Sequence, residues 1–101
     1  MEFITAEELK QGKGEFLILD IRDSIAFSHG HVDGSINIDV YENIHDGDYE
    51  IARQKLSRLP KDKTIITVCN AGITAQPASM ILESMGYKTK VLEDGMMGWA
   101  C

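Results

Sequence analysis

Val68-Cys69-Asn70-Ala71-Gly72-Ile73-Thr74-Ala75 joins two different hydrophobic patterns. Before it runs Thr64-Ile65-Ile66-Thr67-Val68, an apolar, β-branched run of strand length. After it, a helical repeat over residues 73–85 places Ile73, Ala78, Ile81, Leu82 and Met85 on the inward side, and Gly86 is positioned to end it. Pro77 falls in or near the first turn, where a missing N–H costs little. Cys69 therefore stands at the carboxyl end of a strand, ahead of a small-residue loop and a helix start. Backbone N–H groups of such a loop converge on one point, and the helix dipole adds partial positive charge there. Both effects favour a thiolate, the nucleophilic form of the side chain.

Outward from this stretch, strands alternate with helices. Thr5 caps a helix over Ala6–Gln11, with acidic residues in its first turn. Phe16-Leu17-Ile18-Leu19-Asp20-Ile21 reads as a parallel strand buried on both faces. Asp23 or Ser24 begins a short helix that ends near His29-Gly30, and Ser35–Ile38 is a short strand. Tyr41–Asp48 is polar and turn-rich. Glu50–Leu59 carries a helical stripe at Ile51, Ala52, Lys55-Leu56 and Leu59, stopped by Pro60. Lys88–Leu92 is a last strand, and Asp94–Trp99 a loop or short helix. This order predicts an α/β domain with a mainly parallel sheet and helices on both faces. Ligands of such folds bind beyond the carboxyl ends of the strands. Asp20-Ile21-Arg22 and Glu93-Asp94-Gly95 then become neighbours of the cysteine loop.

Composition narrows the function classes. The chain has 101 residues, which fits one domain, and 44% of them are hydrophobic. A net charge of −6 argues against nucleic acid or an anionic membrane as partner. No apolar run reaches the roughly 18–20 residues of a membrane span, and the acidic start Met1–Glu8 lacks a signal-peptide pattern. Two cysteines, Cys69 and Cys101, are too few for a disulfide scaffold, so a reducing, cytoplasmic setting is expected; a monomer is the expected state. No His/Cys/Asp cluster has zinc-ligand spacing, so no metal is expected.

Together these pieces resemble a rhodanese-homology domain over nearly the whole chain. Leu19-Asp20-Ile21-Arg22-Asp23 is similar to that family's strand-end Asp-x-Arg signature. Gly30-His31-Val32-Asp33-Gly34-Ser35-Ile36-Asn37-Ile38 resembles its Gly-His-Ile-Pro-Gly-Ala-x-Asn segment, with Asp33 replacing proline. Cys69–Thr74 resembles the six-residue active loop. Leu92–Trp99 resembles the closing Leu-x-Gly-Gly-x-x-x-Trp, with Asp94 at the first glycine. The family continues a few residues beyond the tryptophan, so this chain reads as trimmed or short.

The resemblance implies a three-layer domain with a five-stranded sheet. It also implies a sulfurtransferase that needs no cofactor and works in ping-pong fashion through a persulfide on Cys69. On this reading the N–H groups of Asn70, Ala71, Gly72, Ile73 and Thr74 cradle the sulfur, with the Thr74 hydroxyl as a further donor. The loop lacks the arginine that many single-domain members carry at its sixth position. It looks more like the Cys-Gly-Ser-Gly-Val-Thr loops of mercaptopyruvate-type enzymes, so thiosulfate, a dianion, is expected to be a weak donor. The acceptor is a small thiol or a thioredoxin-like protein.

Asp20 and Arg22 read as a buried pair bracing the loops, or alternatively Arg22 holds an anionic donor. His31 reads as structural, and His29 and His45 as exposed. Met96, Met97 and Trp99 are either core or an apolar rim of the pocket. Cys101 reads as a free thiol. Two other functions compete. One is a non-catalytic, partner-binding or redox-sensing module. The other is a phosphatase or arsenate reductase, which needs a Cys-x5-Arg loop where this chain has Ala75.

Overall fold

A computed structural model describes residues 1–99. The sheet has five strands: β1 (Phe3–Ile4), β2 (Phe16–Asp20), β3 (Ile36–Asn37), β4 (Thr64–Val68) and β5 (Thr89–Leu92). Their order is β1-β5-β4-β2-β3, and every pairing is parallel. The helices are α1 (Ala6–Gly12), α2 (Ser24–His29), α3 (Tyr41–His45), α4 (Tyr49–Leu56), α5 (Ala75–Ser84) and α6 (Gly95–Trp99).

Period-two alternation along the strands divides the core into two layers. Leu17, Leu19, Ile65 and Val91 pack on one face with Ile44 of α3, Ala52 and Leu56 of α4, and Ala78, Ile81 and Leu82 of α5. Ile4, Ile18, Ile66, Val68 and Leu92 pack on the other with Leu9 of α1 and with Met96 and Trp99. The three-layer architecture is thus written in the alternation of neighbouring strand residues.

Strand order decides where a site can form. β2 and β4 lie side by side in full register, from Phe16 opposite Thr64 to Asp20 opposite Val68. From β2 the chain proceeds to β3 at one edge. From β4 it proceeds to β5 on the other side. Their outgoing loops diverge and leave a crevice at the carboxyl ends, where parallel α/β sheets hold ligands.

The helix starts follow local chemistry. Thr5 and Glu8 form a reciprocal capping box on α1, with Thr5 N–H donating to Glu8 Oε1 at 2.9 Å and Glu8 N–H to Thr5 Oγ1 at 3.1 Å. Bonds from the Thr5 backbone, then from its hydroxyl, hold the Glu8 carboxyl below its ordinary value. That bracing is present at neutral pH and is lost as the pH falls through the lowered value. Asp23 caps α2 by accepting from Ala26 N–H at 2.8 Å.

The structure corrects several sequence readings. Strand β1 has no signal in the sequence, because two residues carry no periodicity; Glu2 and Ile4 carbonyls accept from Val91 and Glu93 N–H. The segment read as turns, Tyr41–Asp48, contains α3. α5 begins at Ala75, not at residue 73, and Ile73 is 71% exposed rather than inward. α4 ends at Leu56, ahead of Pro60, and Ile51 and Lys55 face solvent. Cys101 lies outside the described residues.

One buried polar contact ties β4 to α5. The Thr67 hydroxyl meets Ser79 Oγ at 2.8 Å and donates to the Ala75 carbonyl at 3.2 Å, both at buried positions. Thr67→Val strands the Ser79 hydroxyl and is expected to cost about 1–2 kcal/mol. Adding Ser79→Ala removes the stranded group and should recover part of that loss. Urea denaturation of the single and double variants checks both expectations.

Candidate active site

Cys69 leaves the end of β4, next to the point where the chain turns into α5, and is 2% exposed. Its Sγ accepts two backbone hydrogen bonds, from Gly72 N–H at 3.2 Å and from Ala75 N–H at 3.3 Å. Ala75 is the first residue of α5, so one donor is the helix N-terminus itself. Two N–H dipoles are thus aimed at one sulfur.

The loop keeps this shape because its carbonyls are held on the far side. Met96 N–H donates to the Cys69 carbonyl at 2.8 Å and Met97 N–H to the Asn70 carbonyl at 2.9 Å. Gln76 Nε2 donates to the Gly72 carbonyl at 2.9 Å. In a trans peptide the N–H points opposite its carbonyl. Pinning these carbonyls therefore turns the N–H groups of Asn70, Ala71 and Ile73 the other way. Among the described residues, the N–H groups of Asn70, Ala71, Ile73 and Thr74 meet no protein acceptor.

This clamp requires α6 to sit against the loop. Gly95 has φ +55, and a Cβ there would fall on the Cys69 carbonyl oxygen and lie 2.8 Å from the Asn70 carbonyl carbon. Gly72 has φ +80, and a Cβ there would press on Asp94 N and the Leu92 carbonyl at 3.2 Å. Asp94, which replaces the family's first glycine, holds φ 64, a region aspartate tolerates better than most residues.

A cleft of about 320 Å³ opens over the sulfur. It is lined by Cys69, Asn70, Ala71, Ile73 and Thr74 from the loop, and by Tyr41 and His45 from α3. The reading of residues 70–74 as the cradle is adjusted in one respect. The bonds formed on Sγ come from Gly72 and from Ala75, one position beyond the expected loop. Among the described residues, the Thr74 hydroxyl makes no bond to the sulfur.

Arg22 is committed elsewhere. Its Nε contacts Asp20 Oδ1 at 3.0 Å, and its Nη2 reaches Asp20 Oδ2 at 2.7 Å and the Gly30 carbonyl at 2.8 Å. Both side chains are buried. The Asn37 side-chain amide donates to the Asp20 and Arg22 carbonyls, securing the end of β2 from β3. Arg22 lines a separate depression with His29, His31, Met96 and Trp99. The bracing role thus fits this geometry.

His31 Nδ1 lies 2.7 Å from the Phe27 carbonyl, and its ring stacks on Phe27 with centroids 3.7 Å apart. Met96 and Trp99 pack on the second core cluster rather than rim the cysteine cleft. Met97 is the exposed member of the set and flanks Ala71. Sequence reasoning missed Tyr41, Gln76 and the cleft position of His45. The four-residue spacing of Tyr41 and His45 on either side of the apolar Ile44 was the available helical signal.

A family model described as Rhodanese-like domain matches residues 5–100. The chain belongs to that family. The thiosulfate sulfurtransferase GlpE of Shewanella oneidensis is 29% identical over 83 residues, spanning 81% of this chain and 73% of GlpE. An HTH-type transcriptional regulator of Mycobacterium tuberculosis is 30% identical over 100 residues, which is 95% of this chain but only 40% of the regulator. The crystal structure of a rhodanese-related protein from Thermoplasma volcanium superposes with a TM-score of 0.84 at 25% identity, covering 99% of this chain and 91% of that one. The parallel five-stranded sheet described above is the rhodanese-like fold.

Two substitutions test this architecture. Gly95→Ala forces α6 off the loop and is expected to destabilise by about 3 kcal/mol, the upper range for overpacking. Arg22→Ala leaves the Asp20 carboxylate buried without its partner, at an expected cost of about 3–5 kcal/mol. Chemical denaturation midpoints measure both.

Proposed function

We propose that this rhodanese-like chain is a sulfurtransferase that carries sulfur as a persulfide on Cys69. The Cys69 thiolate attacks the sulfane sulfur of a donor. A new S–S bond forms on Cys69 as the donor's bond to that sulfur breaks, and the bonding pair leaves with the donor remainder. An acceptor thiolate then attacks the outer sulfur, takes it as its own persulfide, and returns Cys69 as thiolate.

The observation that carries this reading is the division of labour among the loop amides. Gly72 and Ala75 N–H serve Sγ, while, among the described residues, the N–H groups of Asn70, Ala71, Ile73 and Thr74, four residues that line the cleft, meet no protein acceptor. A persulfide places a second, anionic sulfur beyond the first. Unpaired N–H groups of a fixed loop stabilise such a charge without reorganising. The family's sulfurtransferase GlpE adds support. The reaction needs no cofactor, and the exposed Met97 beside the loop suits a protein thiol as acceptor.

The loop supplies no cation, and Arg22 is held by Asp20. Thiosulfate is therefore expected to react weakly, although GlpE carries that substrate in its name. Incubation with a persulfide or mercaptopyruvate should add the mass of one sulfur to the natural protein and none to Cys69→Ser. An adduct elsewhere, or unchanged sulfur transfer by Cys69→Ser, defeats the persulfide mechanism. Efficient low-KM thiosulfate turnover defeats the donor preference.

A second reading rests on the transcriptional regulator, in which a homologous segment is joined to a longer chain. On that reading Cys69 of this chain would act as a sensor whose modified form alters a partner. Persulfide formation without onward transfer to any thiol acceptor would favour it.

A further inference from the structure

The cleft over Cys69 has a wall that the loop does not build. Tyr41 and His45 enter it from α3, four residues apart on one helical face, with near-parallel rings whose planes differ by 5° and whose centroids lie 6.1 Å apart. The helix that presents them is firmly seated. Ile44 is buried in the first core cluster, and Val40 at its N-terminal end is fully buried. Lys55 of α4 ties it down through the Asn43 side chain at 2.7 Å and the Asp39 carbonyl at 3.0 Å. An exposed imidazole on such a platform has its position limited by the stack while staying open to solvent and ligand.

Among the described residues, His45 is the single one lining this cleft that can carry positive charge. Building on the sulfur-transfer reading above, we propose that His45, as its imidazolium, receives the anionic end of the sulfur donor and so selects small anionic donors. The imidazolium keeps its proton during transfer. It attracts the donor as it binds and stabilises the negative charge that gathers on the donor remainder when its bond to sulfur breaks. It is a specificity-determining residue that adds to the backbone cradle a charge that varies with pH. Thiosulfate then gains ground as the pH is lowered and loses it as the pH is raised.

The charged and titratable groups around His45 are few. On its own helix they are Tyr41, Glu42 and Asp46, with Asp48 just beyond. From α4 come Tyr49, Glu50 and Arg53, the last two ion-paired at 3.6 Å, and Lys55, engaged as described. From the loop only Cys69 titrates. All except His45 itself persist in a His45→Gln variant, so comparison with the natural protein subtracts them.

The test reads charge in the cleft without requiring sulfur transfer. Cys69 is alkylated with iodoacetate, an anion, and with iodoacetamide, its neutral analogue. Both consume the same thiolate, so the ratio of their rates cancels its changing population. In the natural protein the ratio should fall by about 3–10-fold as the pH rises from about 5.5 to about 8, where histidines lose their charge. His45→Gln should flatten the profile at the low value, and His45→Arg should hold it high throughout. His29→Gln, altered in the separate depression with Arg22, should reproduce the natural profile. A flat ratio in the natural protein, or the same fall in His45→Gln, overturns the proposal. Absence of a sulfur adduct would instead count against the transfer reading, because the alkylation ratio does not depend on it.

Discussion

The contact that the site depends on is the approach of α6 to the cysteine loop. Two amides at the start of that helix, Met96 and Met97, grip the carbonyls of Cys69 and Asn70. A polar loop that must expose N–H groups in one direction has to satisfy its carbonyls in the other. Here β5 delivers the partner, because Leu92 ends next to the loop and the Glu93-Asp94 turn reverses the chain into α6. Without a side chain at Gly95 the helix can come close enough, and the left-handed backbone at Asp94 and Gly95 directs it there. The closing motif of the family is thus a structural partner of the cysteine motif, although seventeen residues separate them.

A second constraint concerns charge. The arginine closest in sequence to the β2 end of the crevice is buried with Asp20 and bound to the Gly30 carbonyl. A buried guanidinium is tolerable only when paired and hydrogen-bonded. Once paired, it is a poor anion receptor, because its field is already cancelled by a carboxylate at 2.7 Å. The Asp-x-Arg signature therefore serves the shape of the crevice. On the proposed function an anionic sulfur would be left to backbone dipoles, which carry no net charge and cost less to desolvate than a buried ion.

The sequence displayed the layers and the cysteine motif more plainly than the cleft. Continuous apolar runs at Phe16–Ile21 and Thr64–Val68 predict buried parallel strands, and the central pairing is theirs. Strand β1 escaped notice because its pairing comes from β5, remote in the chain, and not from any local pattern. The spacing of Ile73 from Ala78 suits a helix and predicts an inward side chain. The helix begins two residues later, and the loop geometry turns Ile73 outward. Tyr41 and His45 were hidden by polarity. A short helix among Asp, Asn, Glu and Gly resembles a turn until Ile44 and Val40 are seen anchoring it from beneath. Local composition could not predict that tertiary burial.

This separation of parts has a consequence for how the site can vary. The sulfur cradle is built of amides, and amides are present whatever side chains the loop carries, provided the chain keeps its path. Gly72 and Gly95 restrict that path tightly. The facing wall is built of side chains on α3, whose anchors are Val40 and Ile44 and whose cleft residues are Tyr41 and His45. Those cleft residues can change without disturbing the anchors, because on a helix they belong to different faces. On the proposed sulfur-transfer function, chemistry at the sulfur would thereby be decoupled from recognition of the donor. On the proposal made for His45, a substitution at position 45 would change which anion approaches, while the hydrogen bonds to Sγ from Gly72 and Ala75 stay as they are. A backbone trap paired with a wall of side chains suits a cysteine loop that carries no charge of its own.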